Sequence, residues 1–306
     1  MTSQDRPRRG LCATMEVHER LREIDPGLRA RRAELKDRMR QRLDSGDAST
    51  YAGELTTLQT VVHVVHRTDE ENISDEQVAS QIEVLNRDFR ASNEDRSKVP
   101  RVWEGLVADA NIEFELASED PEGNATNGIT RTETSREFFA PDDSVKTNEG
   151  GGIAPWPTDR YLNMWVCPLE GGLLGYAQFP GGPPETDGVV ILYTAFGTTG
   201  AAREPFNLGR TATHEVGHFL NLFHIWGDSD DCSGSDEVSD TPGAQAPNHG
   251  CPEFPHVSCN NAPSGDMFVN YMDYTDDACM FMFTPGQAVR MNATFLAERR
   301  TLAGLG

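Results

Sequence analysis

The segment His214-Glu215-Val216-Gly217-His218-Phe219-Leu220-Asn221-Leu222-Phe223-His224 constrains this 306-residue chain more than any other. Histidines four apart on a helix project from one face about a turn apart, close enough for both imidazoles to hold one metal ion. His214 and His218 have that spacing. Glu215 follows the first of them, where its carboxylate can take the proton of a water that the metal activates. A catalytic zinc site needs a third protein ligand and an open fourth position. His224, six residues beyond His218, is the candidate. Six residues exceed one helical face, so the chain must turn between them. Asn221 stands where glycine is the usual choice for such a turn, and asparagine is the next most tolerant residue of positive φ. The expected chemistry is peptide-bond hydrolysis by zinc-activated water, with Glu215 as general base.

The rest of the chain must supply a frame for that helix. A valine-rich strand is expected over 58–66, and a helix over 75–89 with Val78, Ile82, Leu85 and Phe89 at helical spacing. Further strands are expected over 112–116, 128–132, 162–169 and 189–193, with a short edge strand over 175–179. The metal-site helix should cover 208–220, and a closing helix 285–299. Between them, residues 225–280 are rich in Gly, Pro, Asp and Cys and read as stapled loops. Strands and a helix followed by a helix and loops give an α+β architecture with a cleft between two halves.

The N-terminus reads differently. Residues 1–10 form a polar, basic lead-in expected to be disordered. Residues 15–43 are charged and helix-prone, with Leu21, Leu28, Leu35 and Met39 as sparse apolar contacts. Such a segment cannot build a core and should drape over something else. Residues 45–52 are small, polar and turn-like, an expected boundary and nicking site.

Charge sharpens the division. Residues 1–43 carry twelve Lys/Arg against seven Asp/Glu, and the remainder fifteen against forty-two. An acidic body repels nucleic acid and anionic membranes, so neither is an expected partner. No run approaches the ~18 apolar residues of a membrane span. No apolar stretch follows Arg8 and Arg9, so the opening residues do not read as a secretion signal. Secretion is nevertheless expected, with a signal upstream of this start; a cytosolic protein is the alternative.

Together with Asn270-Tyr271-Met272-Asp273-Tyr274 downstream, the histidine motif resembles the metzincin clan of zinc peptidases, and more narrowly the pappalysin family. His224-Ile225-Trp226-Gly227-Asp228 and Ser239-Asp240-Thr241-Pro242 match that family's pattern as well. The resemblance covers most of residues 55–300. It implies a metzincin-like catalytic domain over 51–306, with a twisted mixed sheet, an active-site helix and a loop-rich, disulfide-stapled C-terminal half. It also implies that Met272 forms an apolar floor beneath the histidines, and that Tyr274 approaches the zinc or the transition-state oxyanion. Residues 1–50 become a pro-segment, mostly helical or extended, that inhibits the chain's own active site. Cys12 would be its switch, a thiolate in the open zinc position, and the opposite charges of the two regions would help to hold it there. The chain would then be made as a zymogen.

Cysteines Cys232, Cys251, Cys259 and Cys279 cluster around the expected site, and four cysteines allow three pairings. The family pattern implies Cys232–Cys259 and Cys251–Cys279, each stabilising the loops by roughly 3–4 kcal/mol through chain entropy. Disulfides imply an oxidising compartment. Cys167, in a strand-like run, reads as a buried free thiol. The acidic loop at 228–231, with Asp236, Asp240 and Thr241, offers hard oxygen ligands, and the resemblance adds structural calcium as a second metal. Gly175, Tyr176 and Ala177 could form an exposed edge that pairs antiparallel with an extended peptide. Protein or peptide substrates follow, with basic residues near the scissile bond favoured by the acidic body. A catalytically silent zinc-binding interaction module is the alternative function, against which Glu215 argues. A different hydrolase sharing the short motif is a third, against which His224 and Met272 argue.

Overall fold

The computed structural model describes residues 12–305, so the lead-in at 1–10 lies outside the described residues. Three helices come first: α1 (Thr14–Ile24), α2 (Leu28–Asp44) and α3 (Asp47–Tyr51). Pro26 separates the first two, as a residue before proline is biased away from helix. The stretch at 45–52, expected to be a turn, instead holds α3. Ala48 and Tyr51 are buried there, and Tyr51 Oη lies 2.7 Å from Thr56 Oγ1. Packing against the body decides its conformation, which composition alone did not reveal. The exposed connector lies after it, at Gly53, Glu54 and Leu55.

The sheet is built around β1 (Thr56–His66). It pairs in parallel with β2 (Ile112–Leu116) along its first half and with β3 (Ile129–Glu133) along its second. On its other side β4 (Leu162–Cys167) and then β6 (Val189–Leu192) continue the parallel order. The short β5 (Gly175–Ala177) closes the edge antiparallel to β6, giving a mixed sheet.

Successive side chains of a strand face opposite ways, and β4 shows how that splits the molecule. Met164 and Val166 face the main core, while Trp165 and Cys167 face a second cluster on the other side. The main core is closed by α4 (Asp75–Phe89) and α5 (Arg210–Phe219). Ser74 caps α4 by accepting from Gln77 N, and Val78, Ile82, Leu85 and Phe89 bury its inner face. Arg210, at the start of α5, reaches Asp88 of α4 at 2.6 Å, and Thr213 donates to the same carboxylate at 2.6 Å. Those bonds fix the rotation of α5 against the sheet. The second cluster is closed by Val17, Leu21 and Leu28 of the N-terminal helices, and a third joins Leu35, Met39 and Ala48 to Ala293. The charged N-terminal segment therefore drapes over the body on both flanks of the cleft.

The C-terminal half is mostly loops, with a two-residue ladder of β7 (His249–Gly250) and β8 (Tyr274–Thr275) and a final helix α6 (Pro285–Ala297). Thr284 and Gln287 form a capping box at the start of α6. Disulfides join Cys232 to Cys259 and Cys251 to Cys279. Cys167 is a buried free thiol.

Candidate active site

Helix α5 ends in a way that brings three histidines together. Asn221 takes φ +72°, Leu222 N donates to Gly217 O at 2.9 Å, and Asn221 N donates to His218 O at 2.8 Å. This is the left-handed reversal that closes many helices, and it turns His224 back over the face carrying His214 and His218. The three Nε2 atoms then lie 3.1–3.3 Å apart.

Each ring is held by its other nitrogen. Nδ1 of His214 faces Tyr271 O at 2.7 Å, Nδ1 of His218 faces Leu222 O at 2.8 Å, and Nδ1 of His224 faces Asp228 Oδ1 at 2.6 Å. All three partners are acceptors, so each Nδ1 carries the proton. Burial pushes His214 down to about 3, and burial with the neighbouring rings holds His218 well below the usual imidazole range. The three Nε2 lone pairs, opposite the held Nδ1 atoms, thus converge on one point. Lone pairs at this distance repel unless a cation lies between them, so the donor set fits a metal ion. Cys12 Sγ completes a group of four donors within 4.8 Å of one another.

The surroundings keep these rings in place. Met272 is buried beneath them, and a Cβ on Gly217 would fall 2.5 Å from its sulfur, so only glycine lets helix and methionine meet this closely. Trp226 stacks on the His224 ring with centroids 4.3 Å apart. The Tyr274 ring approaches His224 edge-on at 4.9 Å. Asp228, read from sequence as one oxygen in an acidic loop, orients His224 instead. Its position four residues after the last histidine was the available signal.

Glu215 is fully buried at the metal-site wall. Its Oε2 accepts from Thr14 Oγ1 at 2.9 Å and from Cys12 Sγ at 3.4 Å, while Oε1 has no partner. Burial pushes its carboxyl up to about 8. Burial, then the Glu215 carboxylate, pushes the Cys12 thiol well above its ordinary range. Tyr274 Oη donates to Cys12 O at 3.3 Å. Thr14, which sequence reasoning passed over, touches both Glu215 and the edge strand.

The edge at Gly175, Tyr176 and Ala177 is not exposed, contrary to expectation. All three residues are buried, because the N-terminal segment lies on them. Ala13 N donates to Gly175 O at 3.1 Å, and Ala177 N donates to Thr14 Oγ1 at 2.8 Å. Cys12 bridges Gly175 in the parallel sense. On the Tyr274 side of the histidines a small cavity of about 30 Å³ is walled by Leu174, Phe206, Thr211 and Met280. Asp236 and Asp240, expected to offer oxygens with Thr241, bind within the protein. Thr241 Oγ1 donates to Asp236 at 2.7 Å, and Asp240 accepts from Thr284 Oγ1 and Gly286 N at the start of α6.

The chain is similar to known metalloproteases. The family model Peptidase_M43, described as pregnancy-associated plasma protein-A, matches residues 151–296. An extracellular metalloprotease of Arthroderma benhamiae is 32% identical over 249 residues, covering 79% of this chain and 79% of its own. One from Pyricularia oryzae is 34% identical over 253 residues, covering 79% of this chain and 76% of its own. Among solved structures, Tannerella forsythia mature mirolysin with a cleaved peptide superposes with a TM-score of 0.80 at 52% identity, covering 81% of this chain and 96% of that one. A mutant of Tannerella forsythia promirolysin superposes with a TM-score of 0.86 at 45% identity, covering 95% and 96%.

Proposed function

This chain belongs to the pappalysin family (Peptidase_M43) and is a metalloendopeptidase, and we propose that it works with zinc, uses Glu215 as general base, and is secreted as a zymogen. The observation that carries the reading is the convergence of three lone pairs from His214, His218 and His224 at 3.1–3.3 Å. Nitrogens about 2.0–2.1 Å from a tetrahedral zinc stand roughly 3.3 Å apart, so the site already has the spacing that ion needs.

When bound, zinc supplies Lewis acidity to the attacking water and to the peptide carbonyl. The protein's own groups supply the rest. Gly175 O and Ala177 N, now taken by Ala13 and Thr14, hold the backbone of an extended substrate. Glu215 Oε2, released from Thr14 and Cys12, takes the proton of the water and delivers it to the departing amide nitrogen. The Tyr274 hydroxyl, released from the Cys12 carbonyl, donates to the developing oxyanion. Met272 supports the rings from below.

Residues 1–50 act as the pro-segment and 51–306 as the catalytic domain. Cys12 would be the fourth donor of the latent site, where a bound metal would favour the thiolate that burial disfavours. The coverage of this chain by mirolysin structures, 81% for a mature form and 95% for promirolysin, supports the division. The names of the fungal relatives and the two disulfides support secretion. No helix among the described residues is long and apolar enough to cross a membrane. Structural calcium near Asp236, Asp240 and Thr241 is carried by the resemblance. Thermal stability lost to a chelator and restored by calcium but not zinc supports it; indifference to calcium removes it.

The test is casein hydrolysis by the intact chain, and by the chain cut at Gly53–Leu55, beside a Glu215→Ala control. Activity that appears on cutting, is lost to a zinc chelator and is absent from the control is the expected result. A cut, folded, zinc-loaded chain that hydrolyses nothing would overturn the mechanism in favour of a silent binding module.

A further inference from the structure

Arg32 of α2 rests in a seat made wholly by the body. Its guanidinium carbon lies 5.2 Å from the centroid of the Phe179 ring, and Nη1 donates to Pro180 O at 3.0 Å and to Asn221 Oδ1 at 2.9 Å. The seat adjoins the metal site, because the Phe179 ring meets the His218 ring edge-on with centroids 5.4 Å apart. An aromatic face with two carbonyl acceptors at its rim suits a guanidinium group, which stacks through its plane and donates from its edge. Burial, then the charge of nearby Arg290, pushes the Arg32 guanidinium down, but Arg290 is engaged by Asn221 O at 2.8 Å and Glu237 at 3.2 Å. Glu237 offsets its charge, and the seat accepts a second cation, as Arg32 demonstrates.

Asn221 gives this arrangement its particular character. Glycine would meet the φ of +72° with less strain, but glycine has no side-chain acceptor. The position where the sequence departs from the usual residue is the one that supplies Oδ1 to the seat.

The direction of β5 says which part of a substrate reaches it. The strand starts at Gly175, where an added Cβ would lie 3.0 Å from Glu215 Cγ, and runs on toward Phe179 beside His218. A peptide antiparallel to β5 therefore sends the residues before its scissile bond toward Phe179.

We propose that the Phe179–Pro180–Asn221 seat is a subsite for a basic substrate side chain, arginine above all, on the N-terminal side of the scissile bond, with Asn221 as the specificity-determining residue. Arg32 occupies that subsite in the covered form and vacates it with the rest of the N-terminal segment. The inference rests on the endopeptidase reading above.

The experiment uses the chain cut at Gly53–Leu55 and quenched peptides with arginine at each of the nearer positions before the cleaved bond. Each is paired with a twin carrying citrulline, which keeps the shape without the charge. At one position the arginine peptide should be cleaved with kcat/KM about tenfold higher, the difference lying in KM. Asn221→Gly, which suits the backbone, should bring that ratio to within about twofold, and Phe179→Leu should lower it as well. Equal cleavage of every pair by the unsubstituted protein overturns the proposal, as does a ratio untouched by Asn221→Gly. Should Asn221→Gly fail to fold, the ratio for Phe179→Leu decides in the same way. Casein hydrolysis by the unsubstituted cut protein runs alongside. If it is present while the ratios are flat, only the subsite falls; if it is absent, the endopeptidase reading and the subsite fall together.

Discussion

The body and the N-terminal segment are both folded, but they are held by different means. In the body one continuous apolar cluster runs from Val62 and Val64 of β1 through Phe89 of α4 and Val216 of α5 to Met272. The segment has no such interior. Its apolar side chains form two small seams against the outer face of the sheet and against α6, and much of the remaining contact is polar. Arg20 pairs with Asp143, Arg31 donates to Gly181 O, Lys36 pairs with Glu237, and Arg38 reaches Ala297 O and Glu298. Basic side chains of the segment thus meet acidic or carbonyl groups of the body. The exposed pairs among them, Lys36–Glu237 and Arg38–Glu298, contribute about 0–1 kcal/mol each and weaken in salt. The body closes its main core with its own residues, while the segment is held only at its seams and polar contacts.

The largest expected effect falls wholly on the body. Glu215→Gln should lower casein hydrolysis by the cut chain by about 10²–10⁴-fold while leaving its thermal unfolding close to that of the parent. Next come substitutions that set the two kinds of packing side by side. Phe89→Ala should cost about 3–5 kcal/mol in denaturant unfolding of the body. Met39→Ala, equally buried but in a seam, should speed release of the segment under limited proteolysis and leave unfolding of the cut body unchanged. Equal losses of body stability would break the comparison.

Cys12→Ala should make the uncut chain active, by about tenfold for each 1.4 kcal/mol of docking lost; an uncut variant as silent as the parent would mean that the thiol does not hold the latch. A smaller effect follows from His18, which packs edge-on against Phe179 at 5.4 Å. Burial, then the charge of Arg32, pushes its imidazole down to about 4 from an ordinary value of 6.5. The docked ring prefers to be neutral, so docking is strongest above pH ~6.5 and is lost as pH falls through about 4. The segment should be removed faster by an acid-tolerant protease near pH ~4.5 than near pH ~7.5, and His18→Phe should flatten that difference. The smallest change is Arg38→Ala, which removes the exposed pair with Glu298 and the bond to Ala297 O and should shift segment docking by about 1 kcal/mol, measured as the salt dependence of release.

How much could be read without coordinates differs between the same two regions. Periodicity and β-branching marked the body's strands and helices to within a few residues, because their burial patterns are written into their own spacing. The metal helix and its third histidine were legible for the same reason, and Asn221 flagged its own turn. Long-range neighbours were not legible. Nothing near Ser45 or Tyr51 indicates that a helix forms there, since its stabilising contacts come from Thr56 and α6. Lys146 looks like a surface lysine, yet it is fully buried against Asp143 and the rings of Trp165 and Tyr176. The edge at 175–177 was read as open because its occupant lies some 160 residues earlier in the chain. Thr14 and Phe179 acquire meaning only through what folds onto them.

The parallel bridge between Cys12 and Gly175 sets a clock. The segment lies in the cleft back to front, so its peptide groups face the wrong way for attack even where they touch Glu215. On the proposed zymogen reading, a stored molecule does not cut the segment where it lies, and the first cut comes from another molecule. Activation should therefore begin with a lag and then accelerate, with the lag shortening as concentration rises. Dilution preserves the protein, and crowding sets it off.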